Sequence, residues 1–261
     1  MRKKKRTGRT KFQRGIFVLP NLLTTGNLFC GFYAVVAAIQ GNFFKGAIAI
    51  MLAAVFDGLD GKIARVTRTV SRFGLEYDSL SDAISFGVAP GILVYLWALQ
   101  PFGRLGWLAA LLFVACGTLR LARFNAQIDR VGSDYFNGLP IPAAAFMIAS
   151  TVLLHHRLGG TGTANHVTIL IMIYVLSSLM VSTIKYFSFK HAGFFRKMKF
   201  NVLVVLVVFL ILSAAEPAMA SFVIILSYVL SGPFTTLWLR KKRQSEAAAA
   251  ERLETPFKKP V

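Results

Sequence analysis

Asp57 and Asp60 stand at i and i+3 in DGLDGKIAR, and Asp78 and Asp82 at i and i+4 in GLEYDSLSD, each pair bordering long apolar sequence. On a helix either spacing puts both carboxylates on one face. Four carboxylates brought together beside a membrane repel one another and resist desolvation, so they call for a compensating cation. An all-oxygen donor set suits Mg²⁺ or Mn²⁺, and four acidic side chains with water and substrate phosphates could hold two ions. Between the pairs, Gly58, Gly61, Ala64 and Gly74 lack bulk, which lets a neighbouring helix or a nucleotide approach the backbone. Arg65, Arg68 and Arg72 add positive charge. Cations, acidic ligands and small residues together suit a phosphorylated substrate.

The elements that must carry these residues are membrane helices. Of 261 residues 55% are hydrophobic and 23 are Phe, with a mean hydropathy of +0.59, outside the range of ordinary soluble domains. Apolar stretches of spanning length fall at 17–40, 43–65, 79–99, 106–124, 139–156, 166–184, 201–215 and 217–239. The predicted fold is therefore an all-α integral membrane bundle, six core helices plus two C-terminal ones. Eight crossings put both termini on one side. With that side cytoplasmic, all of the 30 Lys and Arg except Lys45, Arg104 and Arg157 lie on or near the inner face of the plasma (inner) membrane. The net charge of +19 then follows membrane sidedness and does not argue for a nucleic-acid partner.

Four segments follow: a basic N-terminal stretch, 1–16; a six-helix core, 17–184; a basic loop with two further spans, 185–239; and a basic tail, 240–261. The tail is expected to begin as a helix and fray. No small-residue cleavage site follows the first apolar run, which reads as an uncleaved helix. Cys30 and Cys116 lie within spans, without metal-ligand spacing, and are expected as buried thiols. His155 and His156 fall at the outer end and are expected in a surface loop.

Taken singly, an Asp near a helix end caps or is solvated, an Arg after a span snorkels, and a membrane Gly packs helices. Their combined order is another matter. Asp57, Asp60, Gly61, Ala64, Arg65, Gly74, Asp78 and Asp82 occur within 26 residues, and that order resembles the signature of the CDP-alcohol phosphatidyltransferase family at every fixed position. PNLLTTGNLFCG, SFGVAPG, CGTLRLARFN and FNGLPIPAAA are similar to a bacterial branch of that family whose acceptor is L-serine.

The resemblance implies displacement at the phosphate of CDP-diacylglycerol by an alcohol hydroxyl, with CMP leaving, and a homodimer. It would make Asp57, Asp60, Asp78 and Asp82 the metal ligands, Asp82 also the general base, and Gly61, Arg65 and Ser71 contacts of the cytidine diphosphate, with Ala64 and Gly74 beside them. Asn21, Thr24 and Asn27 line one face of the first helix, as interhelical hydrogen-bonding groups or as nucleotide contacts. Serine carries a carboxylate, so its pocket needs a cation. Arg120 and Arg123, with Asn125, sit at the cytoplasmic end of the fourth span, where they could also be positive-inside anchors. Two other functions compete: a sister transferase accepting glycerol 3-phosphate or an inositol phosphate, and a cation transporter, which would more often place its acidic groups at mid-membrane.

Overall fold

The computed structural model describes residues 11–67, 71–127, 135–160, 162–164, 166–187 and 216–254. Within them lie seven helices: α1 Lys11–Ile39, α2 Phe43–Val66, α3 Arg72–Phe102, α4 Arg104–Gln127, α5 Ile141–Arg157, α6 Val167–Val181 and α7 Pro217–Glu254. Four stretches are long and apolar enough to cross a membrane: Leu19–Ile39 of α1, all of α3, Arg104–Ala126 of α4 and Pro217–Thr236 of α7. The other three fall short for separate reasons. α5 has 17 residues and α6 has 15, while α2 carries Lys45, Asp57, Asp60 and Lys62 along its length. The predicted span at 201–215, the cations Lys190, Arg196, Lys197 and Lys199 before it, and Arg68 lie outside the described residues. So does the seventh crossing on which a count of eight depends.

Helix α1 explains its own packing. Pro20, Thr24, Asn27, Gly31, Ala34, Ala37 and Ala38 recur at helical spacing and are all buried, whereas Leu22, Phe29, Phe32 and Tyr33 point outward. Small and polar residues inside with large apolar ones outside is the pattern of a helix that meets lipid on one face and protein on the other. Gly31 sits against Ser85 of α3 so closely that any Cβ there would collide with the Ser85 side chain. At the far end α1 turns directly into α2. Gly41, at φ +75°, donates its N–H to Ala38 O at 3.0 Å, a helix termination that only glycine makes without strain.

Helix α3 begins earlier than its apolar run suggests. Ser71 caps it, its Oγ accepting the Gly74 N–H at 3.0 Å, so Asp78 and Asp82 lie in its second and third turns rather than at its start. Straight after Asp82 the helix widens to a π-helical stretch, Ala83–Val88. Pro90 follows, and having no N–H for the Phe86 carbonyl it makes a regular α-ladder impossible there.

The described residues also hold one departure from an all-helical chain. β1 Tyr135–Asn137 and β2 Lys185–Phe187 pair antiparallel, Phe136 opposite Tyr186, tying the connection into α5 to the one leaving α6. At the opposite end of the bundle, Arg157 of α5 grips Glu216 in front of α7, Nε donating to Oε2 at 2.9 Å. His155 and His156 differ from the surface-loop expectation. They occupy the last turn of α5, His155 with its ring edge-on to Trp97 at 5.4 Å and His156 against Phe44 at 4.6 Å. The aromatic neighbours of that turn, invisible in local sequence, hold them in place. Cys30 and Cys116 are buried and free, as expected. The tail begins as a helix, as expected, with α7 running through Glu254; the residues after it lie outside the described ones.

Candidate functional site

The last turns of α2 and the first turns of α3 bring three of the four aspartates together. Asp57, Asp60 and Asp78 each place a carboxylate oxygen within 4.8 Å of the others'. Asp60 is buried and its two neighbours are half-buried. Asp82 stands one turn further along α3, buried and outside that triangle, yet within the electrostatic field of all three. The four-carboxylate cluster of the sequence is therefore three oxygens at close range with a fourth acid above them.

Helix α1 fixes the carboxylates from the side. Thr24 Oγ1 donates to Asp60 Oδ2 at 2.8 Å, and Asn27 Nδ2 donates to Asp82 Oδ1 at 3.0 Å. The backbone is stitched in the same direction, with Ser81 Oγ donating to Thr24 O at 3.1 Å and Ser85 Oγ to Asn27 O at 3.0 Å. Asp78 behaves differently. Its Oδ1 is buried with no hydrogen-bond partner, a costly state for an acceptor unless a cation satisfies it. Close oxygens, mutual repulsion and an orphaned acceptor together fit a hard divalent cation.

The small residues divide by role. A Cβ at Gly58 or Gly61 would meet nothing within 4 Å, so these glycines do not serve helix packing and leave the α2 backbone open. At Gly74 a Cβ would come within 3.1 Å of Ser71 Oγ and 3.5 Å of Asn21 Oδ1, which places Asn21, Ser71 and Gly74 at one corner beside the start of α3. Ala64 is half-buried on α2; the Arg65 side chain lies outside the described residues. Thr25, on the neighbouring face of α1, shares a hydrogen bond of 3.0 Å with Tyr77.

On α4 the three predicted acceptor contacts separate. Arg123 Nη1 donates to Val181 O at 3.4 Å, at the end of α6. Asn125 Nδ2 donates to Ser79 Oγ at 2.8 Å and so ties α4 to the residue after Asp78. Arg120 keeps its Nε buried without a hydrogen-bond partner, its guanidinium 6.0 Å from the Phe124 ring centroid and within the field of Asp82. Of the two arginines, Arg120 is the one with Asp82 in its surroundings. Sequence reasoning missed Ser79, which its place beside Asp78 could have marked.

A helical membrane bundle with an acidic triangle at one end, an open glycine backbone beside it and a buried guanidinium near Asp82 defines a class: membrane proteins with an acidic cluster able to hold a cation. The chain belongs to the CDP-alcohol phosphatidyltransferase family, whose model matches residues 17–176. It is 36% identical over 229 residues to the CDP-diacylglycerol--serine O-phosphatidyltransferase of Helicobacter pylori (strain ATCC 700392 / 26695), covering 87% of this chain and 94% of that one. Similarity to the Bacillus subtilis (strain 168) protein of the same name is 36% over 176 residues, 67% of this chain and 93% of that one. The archaetidylserine synthase of Methanothermobacter thermautotrophicus is 41% identical over 170 residues, 64% of this chain and 69% of that one.

Proposed function

We propose that the protein transfers the phosphatidyl group of CDP-diacylglycerol to the hydroxyl of L-serine, forming phosphatidylserine and releasing CMP. The observation that carries this reading is the convergence of Asp57, Asp60 and Asp78 to within 4.8 Å in a chain whose relatives bear that activity in their names. Asp57, Asp60, Asp78 and Asp82 hold divalent cations, Mg²⁺ or Mn²⁺, two in number. When bound, these supply neutralisation of negative charge on the diphosphate and on the departing CMP. The open backbone at Gly58 and Gly61 admits the nucleotide, with Ala64, Arg65, Asn21, Ser71, Gly74 and Thr24 around it.

Serine's hydroxyl is a weak nucleophile at neutral pH and needs a proton acceptor. Asp82 provides it. Asn27 occupies Oδ1 of that carboxylate and orients it, so Oδ2 takes the proton as the serine oxygen bonds to the phosphorus bearing diacylglycerol and the bond to CMP breaks. Arg120 pairs with the serine carboxylate, while Arg123 and Asn125 hold the end of α4 in register with α6 and α3. The aspartates face the cytoplasm from the inner membrane in a homodimer whose subunits each have six core helices in 17–184 and two more beyond. The pairing of Arg157 with Glu216 supports a common outer end for α5 and α7.

Purified protein with CDP-diacylglycerol and Mn²⁺ or Mg²⁺ is expected to release CMP on addition of L-serine. Release with glycerol 3-phosphate but none with serine would replace this reading by the sister transferase.

A further inference from the structure

Thr24 and Thr25 are neighbours on α1 with different surroundings. Thr25 is exposed, whereas Thr24 is 3% exposed and its hydroxyl is engaged inside the protein. A hydroxyl carries one proton, and two acceptors lie within its reach: Pro20 O at 3.1 Å, one turn back on α1, and Asp60 Oδ2 at 2.8 Å, across on α2. A carbonyl at i−4 is available to any helical threonine. The carboxylate is nearer and, when ionised, the stronger acceptor. Thr24 therefore acts on the site through Asp60.

The same residue is tied from the third helix. Ser81 of α3, itself buried, donates its hydroxyl to the Thr24 backbone carbonyl at 3.1 Å, three residues after Asp78 and one before Asp82. Thr24 thus receives a bond from the helix that bears Asp78 and gives one to the helix that bears Asp60, joining the two elements whose carboxylates form the triangle. Asp60 is the buried member of that triangle. A carboxylate gripped by a directed donor has its plane set before an ion arrives, and a small hard cation with strict octahedral demands gains most from such a ligand. We propose that Thr24 is a positioning residue for cation binding, its hydroxyl fixing Asp60 in the orientation that completes the triangle. The proposal rests on the cation reading of the aspartates given above.

The test is Mn²⁺ binding by the full chain in nanodiscs of zwitterionic lipid, without substrates, followed by the electron paramagnetic resonance signal of the free ion with empty nanodiscs as the blank. Thr24→Val keeps the branched shape and removes the hydroxyl, while Thr24→Ser keeps the hydroxyl. The Kd for Mn²⁺ is expected to rise about tenfold in Thr24→Val, the lower end of the range for losing a hydrogen bond to a metal ligand, and to stay within about twofold of wild type in Thr24→Ser. A folded Thr24→Val protein that binds Mn²⁺ as wild type does, or a Thr24→Ser protein that loses as much as Thr24→Val, overturns the positioning role and leaves the cation reading in place. Wild type that takes up no Mn²⁺ overturns both. Should Thr24→Val not fold, Thr24→Ala is compared with Thr24→Ser, a pair that differs only in the hydroxyl; weaker Mn²⁺ binding by the alanine variant is expected, and equal binding overturns the role.

Discussion

Asn27 and Asp82, 55 positions apart, meet through a buried hydrogen bond of 3.0 Å in which the amide of α1 donates to the carboxylate of α3. Asn27 also receives the Ser85 hydroxyl on its backbone carbonyl, so the same residue both orients the acid and clamps the helix that bears it. Asn27→Ala is expected to lower kcat by about 10- to 100-fold, the scale of a hydrogen bond to a charged group at about 1.5–3 kcal/mol. Asn27→Gln should not restore it, because the longer amide overshoots Asp82. CMP release at saturating substrates checks both.

Asp82→Asn preserves shape and the site's bulk but removes the proton acceptor. Turnover is expected to fall by about 10²- to 10⁴-fold, the range for a general base, with CDP-diacylglycerol binding retained. Turnover near wild type would assign the base elsewhere.

Cation binding is readable without turnover. Adding Mn²⁺ at about 100 times its dissociation constant should stabilise the folded state by about 2.7 kcal/mol, since a ligand that binds only the native form shifts unfolding by mass action. In Asp78→Asn, which neutralises the acid whose Oδ1 has no hydrogen-bond partner, the melting temperature is expected to become nearly independent of Mn²⁺. A full Mn²⁺ shift in that variant would place the ion away from Asp78.

The glycines separate packing from access. Gly61→Ala meets open space and should fold normally while raising the KM for CDP-diacylglycerol. Gly31→Ala, forced onto Ser85, is expected to cost about 1–3 kcal/mol of stability by overpacking. Thermal unfolding of the two variants should therefore diverge even though both add a single methyl group.

At the other end of the bundle, the Arg157 guanidinium holds the Glu216 carboxyl below its ordinary value near 4.5 by hydrogen bonding to it. A carboxyl lowered in the folded state stabilises that state at pH values above its unfolded value, and the contribution disappears as pH falls through the folded value. The pair is exposed, so its effect is small. Wild type is expected to melt slightly above Arg157→Gln at pH 7, with the gap closing below pH 4.5.

What could be read in the sequence follows the range of the interactions involved. The aspartate spacings and the small residues between them are local, set by helical periodicity, and they identified the site's acids and most of the helices. The early start of α3 was hidden because its first two turns, RFGLEYD, are polar, and only the Ser71 cap marks them. The separation of Asp82 from the other three acids depends on the angle at which α2 meets α3, which no spacing encodes. Arg120, Arg123 and Asn125 looked like one group because they share a helix end. Their surroundings separate them: Arg123 reaches the end of α6, Asn125 reaches α3, and Arg120 stays buried beside Phe124.

Helix α7 has one further consequence. With 38 residues in a single element it measures about 57 Å at ~1.5 Å per residue, against the ~30 Å of a bilayer's hydrocarbon. Much of this rod must therefore stand clear of the lipid. Its apolar stretch ends at Thr236, so the same helix carries Arg240, Lys241, Lys242 and Arg243 onward as a basic arm beside the membrane surface.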